Sequence, residues 1–297
     1  MKSTSRKITK LRRMFPAGDI LFALILIIVF LVTLIPFLHL VSTSLSTAID
    51  MKPGLRLLPQ NFTLESYQEV LEATDTVAGV KNSVLRVILG VPLTVIVNAM
   101  AAFATSKEDM VGGKALRIFF VITMYLNVGI IPAYMTIRSY HLVGTFWVYL
   151  MSFATPFYMI LMRNYMQGVP SSLEDAALLD GATYWQYFWR ILMPLSKPII
   201  ATICLFTFIN HWNVYTDCLL YNATKPENFT LQYVLYNQLS NVTTNLADKA
   251  SSLAVGATNP TTLRCALTCM TALPIILIYP LIQKYLVTGI TVGAVKE

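Results

Sequence analysis

Residues 170–198 read PSSLEDAALLDGATYWQYFWRILMPLSKP, a compact polar segment set between two membrane-length apolar stretches. Ser171 followed by Glu174 has the spacing of a capping box, in which the hydroxyl accepts from the third helical amide while the carboxylate reaches back. The spacing predicts a helix over 173–179, closed at Asp180-Gly181 by a left-handed cap that glycine adopts without strain. Thr183 and Gln186 repeat the box and start a second helix that runs to Pro194. Two defined starts and one stop in so short a run make a rigid helix–turn–helix on a loop, the kind of platform on which a partner docks.

Composition places that platform. Of the 297 residues 56% are hydrophobic and only 12% charged, with a mean hydropathy of +0.61. A soluble domain of this length carries about twice that charge fraction, so the surrounding solvent is lipid. A span needs roughly 20 mostly apolar residues, and the stretches 20–41, 80–105, 115–137, 142–162, 199–221 and 263–286 qualify. The fold class is therefore an all-α integral membrane protein. Residues 1–19 form a cytoplasmic tail and 20–297 a single membrane domain of six spans, with a polar loop at 163–198 and external loops at 42–79 and 222–261. The first stretch is longer than the apolar region of a cleaved leader and lacks a small-residue cleavage site after it. Its basic flank (Lys2, Arg6, Lys7, Lys10, Arg12, Arg13) puts the N-terminus inside. Assigning every charge to its nearer side puts the whole formal net charge of +7 on the cytoplasmic face. Both termini are then inside, and so is the docking platform. Insertion polarity accounts for the basic balance, and no nucleic acid is implied. Cys204, Cys265, Cys269 and Cys218 fall in or at the ends of spans and imply no disulfide framework.

Several kinds of chemistry have no carrier in the sequence. The nearest approach to a nucleotide-binding loop, Gly112-Gly113-Lys114, is followed by Ala115 and lacks the upstream glycine spacing. No zinc-protease helix, nucleophile elbow or metal-ligand cluster is present, and His39, His141 and His211 lie far apart. The chain reads as neither an enzyme nor a metalloprotein. Uphill transport by it requires another chain to bind the nucleotide.

Residues 174–182, EDAALLDGA, with Ile191, Pro194 and Pro198 downstream, resemble the EAA loop of ABC-importer membrane subunits. In that family the loop is a coupling helix seated in a cleft of the ATP-binding subunit. The resemblance assigns ATPase coupling to Glu174, Asp175, Ala176, Ala177, Asp180 and Gly181. Ala176 and Ala177 give a low-relief surface, Gly181 the turn, and the acidic pair charge for basic partner residues. The glutamate of the motif is Asp175 here, preceded by Glu174, and which of the two docks is open. Residues 58–67 (LPQNFTLESY), Asn82-Ser83, 129–134 (GIIPAY), 211–213 (HWN) and 289–296 (GITVGAVK) are similar to the carbohydrate-uptake branch, in the position of the maltose-type second permease. Within that branch His211-Trp212-Asn213 resembles a subgroup similar to importers of pectin- or alginate-derived oligosaccharides. The resemblance implies a type I importer permease in a bacterial cytoplasmic membrane, working with two ATP-binding subunits, a second related permease and an extracytoplasmic sugar-binding protein. No cofactor belongs to this chain; ATP and Mg are held by the ATPase subunits.

Polar residues concentrate in the fifth stretch. Asn210, Asn213 and Asp217 recur at one helix face, with His211, Trp212 and Tyr215 beside them. Polar groups within a span face the bundle interior or a water-filled path. These six residues either line a sugar pathway, with rings against sugar faces and amides on hydroxyls, or bond across helices to the partner permease. Asn98 and Asn127 are expected to make helix–helix hydrogen bonds. The long external segment 222–261 carries Phe229, Tyr233 and Tyr236, which either contact the binding protein or belong to a packed cap. An ion-coupled secondary transporter would carry internal repeats or a carboxylate at the centre of a span, and neither is visible.

Overall fold

The long elements follow from apolar length, and their breaks from a few backbone positions. The computed structural model describes residues 17–47, 54–107, 109–126, 128–240 and 259–294. The chain begins with α1 (Ala17–Ser44), exposed on every side from Ile20 to Val32. A helix apolar all round its circumference is solvated by lipid or another chain rather than by its own fold. After α1 come α2 (Glu65–Glu72) and α3 (Thr74–Ser106). At 33 residues α3 is the longest uninterrupted helix before the C-terminal one; a rise of 1.5 Å per residue makes it roughly 50 Å long.

Next are α4 (Gly113–Tyr125) and α5 (Ile130–Ser139), a 3-10 segment over Phe146–Phe153, and α6 (Pro156–Met166). The polar loop contributes α7 (Ser171–Leu179), α8 (Tyr184–Tyr187), a π-helical turn at Phe188–Leu192 and α9 (Met193–Leu195). Then follow α10 (Lys197–Asn213), α11 (Thr216–Tyr221), a short 3-10 turn at Pro226–Asn228, α12 (Leu231–Ser240) and α13 (Pro260–Ala294). Among the described residues no strand forms, and the only bridge pairs Ser46 with Phe62.

Among the described residues α1, α3 and α13 are the single helices long and apolar enough to cross a membrane, and counting each of two bent pairs, α4 with α5 and α8–α9 with α10, as one span brings the number to five. Three expected spans are thus not continuous helices. The third breaks at Gly129, whose φ of +79° is open to glycine without a steric penalty, and the axes of α4 and α5 diverge by 116°. The fourth breaks at Ala154 and Thr155, both extended, because Pro156 disfavours helical geometry in the residue before it. The fifth breaks at Val214, with ψ of 120°. Asn98 covers one of these breaks. Its Nδ2 donates to the carbonyls of Thr94 (2.7 Å) and Phe153 (2.8 Å), and its Oδ1 accepts from the Thr155 amide at 3.0 Å. That is the interhelical bonding expected of it; Asn127 lies outside the described residues.

The core has two parts strung along α3. Near its Lys107 end, Val95, Ala99 and Ala102 meet Met159 and Met162 of α6, Ala177 of α7, and Tyr187 and Phe188 after them. Near its Thr74 end, Tyr149, Trp212, Phe229, Leu231 and Tyr233 close around Leu267 of α13. The polar segment after α6 is therefore built into one core, and the segment after α11 into the other.

Candidate functional site

The platform is held to the bundle from two directions. Ala177 and Tyr187 are buried, and Phe103 of α3 packs on Phe188 with ring centroids 5.2 Å apart. Beside this apolar seat, Lys107 follows the last turn of α3 and pairs with Glu174. Its ammonium also lies 4.8 Å from the ring centre of Phe103 and 5.5 Å from those of Tyr184 and Tyr187. Burial raises the Tyr187 hydroxyl above its ordinary pKa, and the nearby Glu174 carboxylate adds to the rise.

Glu174 is thereby committed inside the chain, and the first capping box does not form. Pro170 occupies the cap position, Ser171 lies within the helix, and no side chain caps it; an ammonium is the stronger partner for the carboxylate. The second box forms as expected: Gln186 accepts from the Thr183 amide at 2.8 Å, and Thr183 Oγ1 accepts from the Gln186 amide at 3.2 Å. Between them Gly181 has φ of +82°. Its amide bonds to the Leu178 carbonyl (3.0 Å) and the Ala182 amide to the Ala177 carbonyl (2.9 Å), a Schellman closure. The second helix ends at Leu195 rather than Pro194, after its π-helical turn.

The outer face of α7 is open. Asp175, Ala176, Asp180 and Gly181 are exposed, and Leu179 is 88% exposed. Of the six coupling positions, only Ala177 and Glu174 are turned to the bundle.

The residues of the fifth stretch separate into different environments. Because the chain leaves the helix at Val214, Asn210, Asn213 and Asp217 do not share one helical face. Asp217 forms an ion pair with Arg86 of α3. Arg86 also donates to His211 Nδ1 and to the Val214 carbonyl, each at 3.2 Å, and lies 5.0 Å from the ring centre of Tyr149. One buried guanidinium thus satisfies the carbonyl left open by the helix break, the imidazole and the carboxylate. Trp212 is buried, its indole donating to the Thr271 carbonyl at 2.9 Å. Asn213 is half-buried, and Tyr215 stacks on Tyr236 with centroids 4.5 Å apart. Asn210 alone of the six lines an open groove of about 320 Å³ between α6 and α10, with Phe157, Tyr158, Phe206 and Ile209. In that groove Tyr158 and Phe206 lie stacked at 6.5 Å.

The described part of the external segment is a packed cap. Asn82 donates to the carbonyls of Glu227 (2.8 Å) and Phe229 (2.9 Å), and Ser83 Oγ accepts from the Leu231 amide at 2.9 Å. Phe229 and Tyr233 are buried and packed together at 4.8 Å, and Tyr236 is half-buried against Tyr215. Residues Ala223 to Glu227 form its exposed rim.

Arg86 and Lys107 were not expected as site residues. Arg86 stands in one apolar stretch with Asp217 in another, and that pairing of opposite charges was the available signal for it. Lys107 follows an apolar stretch and pairs with the polar loop, which carries no such signal.

Residues 77–292 match the family described as binding-protein-dependent transport system inner membrane component. The polygalacturonan/rhamnogalacturonan transport system permease protein YtcP of Bacillus subtilis is 29% identical over 90% of this chain and 93% of its own length. Protein LplC of the same organism is 29% identical over 97% of both chains. Among solved structures, a chain of a bacterial ABC transporter involved in the import of the acidic polysaccharide alginate superposes with a TM-score of 0.83. It is 30% identical over 91% of this chain and 98% of that one. The polar segment with which the sequence opened its case, its seat on α3 and these likenesses converge: the chain belongs to the family of binding-protein-dependent transport system inner membrane components, and is a transport permease rather than an enzyme.

Proposed function

We propose that this chain is a permease subunit of an ATP-driven importer of oligosaccharides, with acidic sugar chains the first candidates. The observation that carries this reading is α7: a short helix whose inner face is anchored by Ala177 and Glu174 while Asp175, Ala176 and Leu179 stand free. An exposed leucine beside alanine and a carboxylate is a knob for a partner's apolar cleft with a basic rim. Two ATP-binding subunits, holding ATP and Mg, dock such helices here and on a second, related permease. Asp175 is the docking carboxylate, since Glu174 is already paired. The platform faces the cytoplasm, with both termini, and the rim at Ala223 to Glu227 faces an extracytoplasmic binding protein.

The solute path on this chain runs along the groove between α6 and α10. Phe157, Tyr158 and Phe206 offer ring faces to sugar rings, and Asn210 an amide to hydroxyls. The names of YtcP and of the alginate importer support uronate-containing chains as the solute.

Cells lacking and re-expressing the chain should differ in uptake of one class of labelled oligosaccharide, tested with oligogalacturonates, alginate oligomers and neutral oligosaccharides. Asn210→Ala and Phe206→Ala should lower that uptake at least several-fold with the complex intact. Unchanged uptake of every saccharide, with loss of some other solute, would replace the sugar reading by another cargo.

A further inference from the structure

The contact that joins the platform to the bundle is more specific than apolar packing requires. Lys107 emerges one residue after α3 ends, and its ammonium meets Glu174 of α7, Phe103 of its own helix, and Tyr184 and Tyr187 of α8. The side chains of Lys107 and Glu174 are 26% and 20% exposed, so solvent screens the pair only partly. A cation enclosed by three ring faces and one carboxylate is held by groups from three helices at once. None of them can shift without opening it. The carbonyl of Thr105, at the same end of α3, accepts from Arg163 of α6 (3.0 Å) and Arg117 of α4 (3.3 Å). The end of α3 is therefore a junction where arginines from α4 and α6 meet the Thr105 carbonyl, and Lys107 is the branch that leads to the platform.

We propose that Lys107 is the positioning residue of energy coupling in this chain: its lock on Glu174 and the aromatic cage makes α7, α8 and α3 move as one body. Displacement of α7 by the ATPase then arrives at α3, the helix against which α6 and α10 pack. Coupling needs an element that both ends bias, and without the lock α7 and α8 can follow the ATPase while α3 stays behind. This inference rests on the reading of α7 as the ATPase-docking helix.

The test uses the whole transporter, with its ATPase subunits, second permease and binding protein, in proteoliposomes. Lys107→Met keeps the apolar stem and removes the charge. It should co-purify with the ATPase subunits as the parent does and continue to hydrolyse ATP. Sugar uptake should fall about tenfold, so that ATP used per sugar rises by the same factor. Glu174→Gln should raise that ratio too, Lys107→Arg should leave it within about twofold, and Lys107→Glu with Glu174→Lys should recover part of the lost uptake. An unchanged ratio in both Lys107→Met and Glu174→Gln overturns the inference, as does uptake that falls only in proportion to lost assembly. Leu179→Asp separates the two layers of the argument. If it leaves co-purification intact, the docking reading of α7 fails; if it abolishes co-purification while Lys107→Met stays coupled, only the lock fails.

Discussion

Arg86 is a charge buried in a membrane-length helix, its side chain 2% exposed. Its guanidinium is tolerated because Asp217, His211, the Val214 carbonyl and the Tyr149 ring surround it. Removing one partner of a buried pair leaves the other charge uncompensated, at a cost of about 3–5 kcal/mol. Arg86→Leu should therefore lower the thermal midpoint of the detergent-purified protein sharply, and Arg86→Leu with Asp217→Leu should recover much of it. Failure of the double variant to recover would mean that the arginine acts through His211 and Val214 rather than through the ion pair. Gly90 faces the same knot from α3, where an added Cβ would lie 2.8 Å from the His211 ring. Gly90→Ala should cost about 1–3 kcal/mol by overpacking, measured as a smaller drop in the same midpoint. The polar residues of the fifth stretch were legible in the sequence as a group; their separate fates were not. Asp217 pairs with a residue 131 positions away, and spacing along one helix is silent about what approaches from another. The groove residue Asn210 and the knot residue His211 are neighbours in sequence facing different surroundings.

At the scale of elements, legibility followed how local the determining contacts are. The box of Thr183 and Gln186 and the turn at Gly181 use groups within a few residues, and both formed. Ser171 and Glu174 have the same spacing, but Pro170 sets the start of the helix and Lys107 claims the carboxylate, which no local rule foresees. Loss of the surviving cap should cost about 1 kcal/mol. Thr183→Ala should accordingly speed hydrogen exchange of the α8 amides about fivefold in the assembled transporter, with unchanged rates in α3. The external cap depends on long-range anchors instead. Asn82 is buried and holds two carbonyls of the cap, and stranding them costs about 1–3 kcal/mol. Asn82→Ala should make cleavage by a glutamate-specific endoproteinase after the exposed Glu227 faster by a factor of ten or more, while the parent resists. Equal rates would show that the apolar burial of Phe229 and Tyr233 alone fixes the cap.

For the whole molecule, hydropathy marked six apolar stretches, whereas among the described residues three single helices, or up to five spans with the bent pairs, are long and apolar enough to cross. Hydropathy reports how apolar a segment is and not whether its backbone stays helical. Pro156 was a readable signal for the break before it; Val214 and Tyr215 carry none, being ordinary residues whose freed carbonyl is taken by Arg86. At 17 residues α10 spans only roughly 26 Å, somewhat less than the hydrocarbon thickness, so a full crossing at α10 calls on α11 beyond the break. What the breaks leave untouched is sidedness, since Leu179 of the platform and Thr224 of the cap rim belong with opposite ends of α3. On the proposed sidedness the net +7 is gathered toward the platform side, which would place that end of the axis in the cytoplasm. Both positions are exposed, whereas Cys218 is buried and Cys204, Cys265 and Cys269 are half-buried. In a background with these four replaced by alanine or serine, Thr224→Cys should react with a membrane-impermeant maleimide on spheroplasts. Leu179→Cys should react only after permeabilisation, and on the proposed docking of the ATPase it should stay protected in assembled transporter. Labelling of Leu179→Cys from outside would invert the axis and remove the ATPase from the platform, since nucleotide is available on one side only.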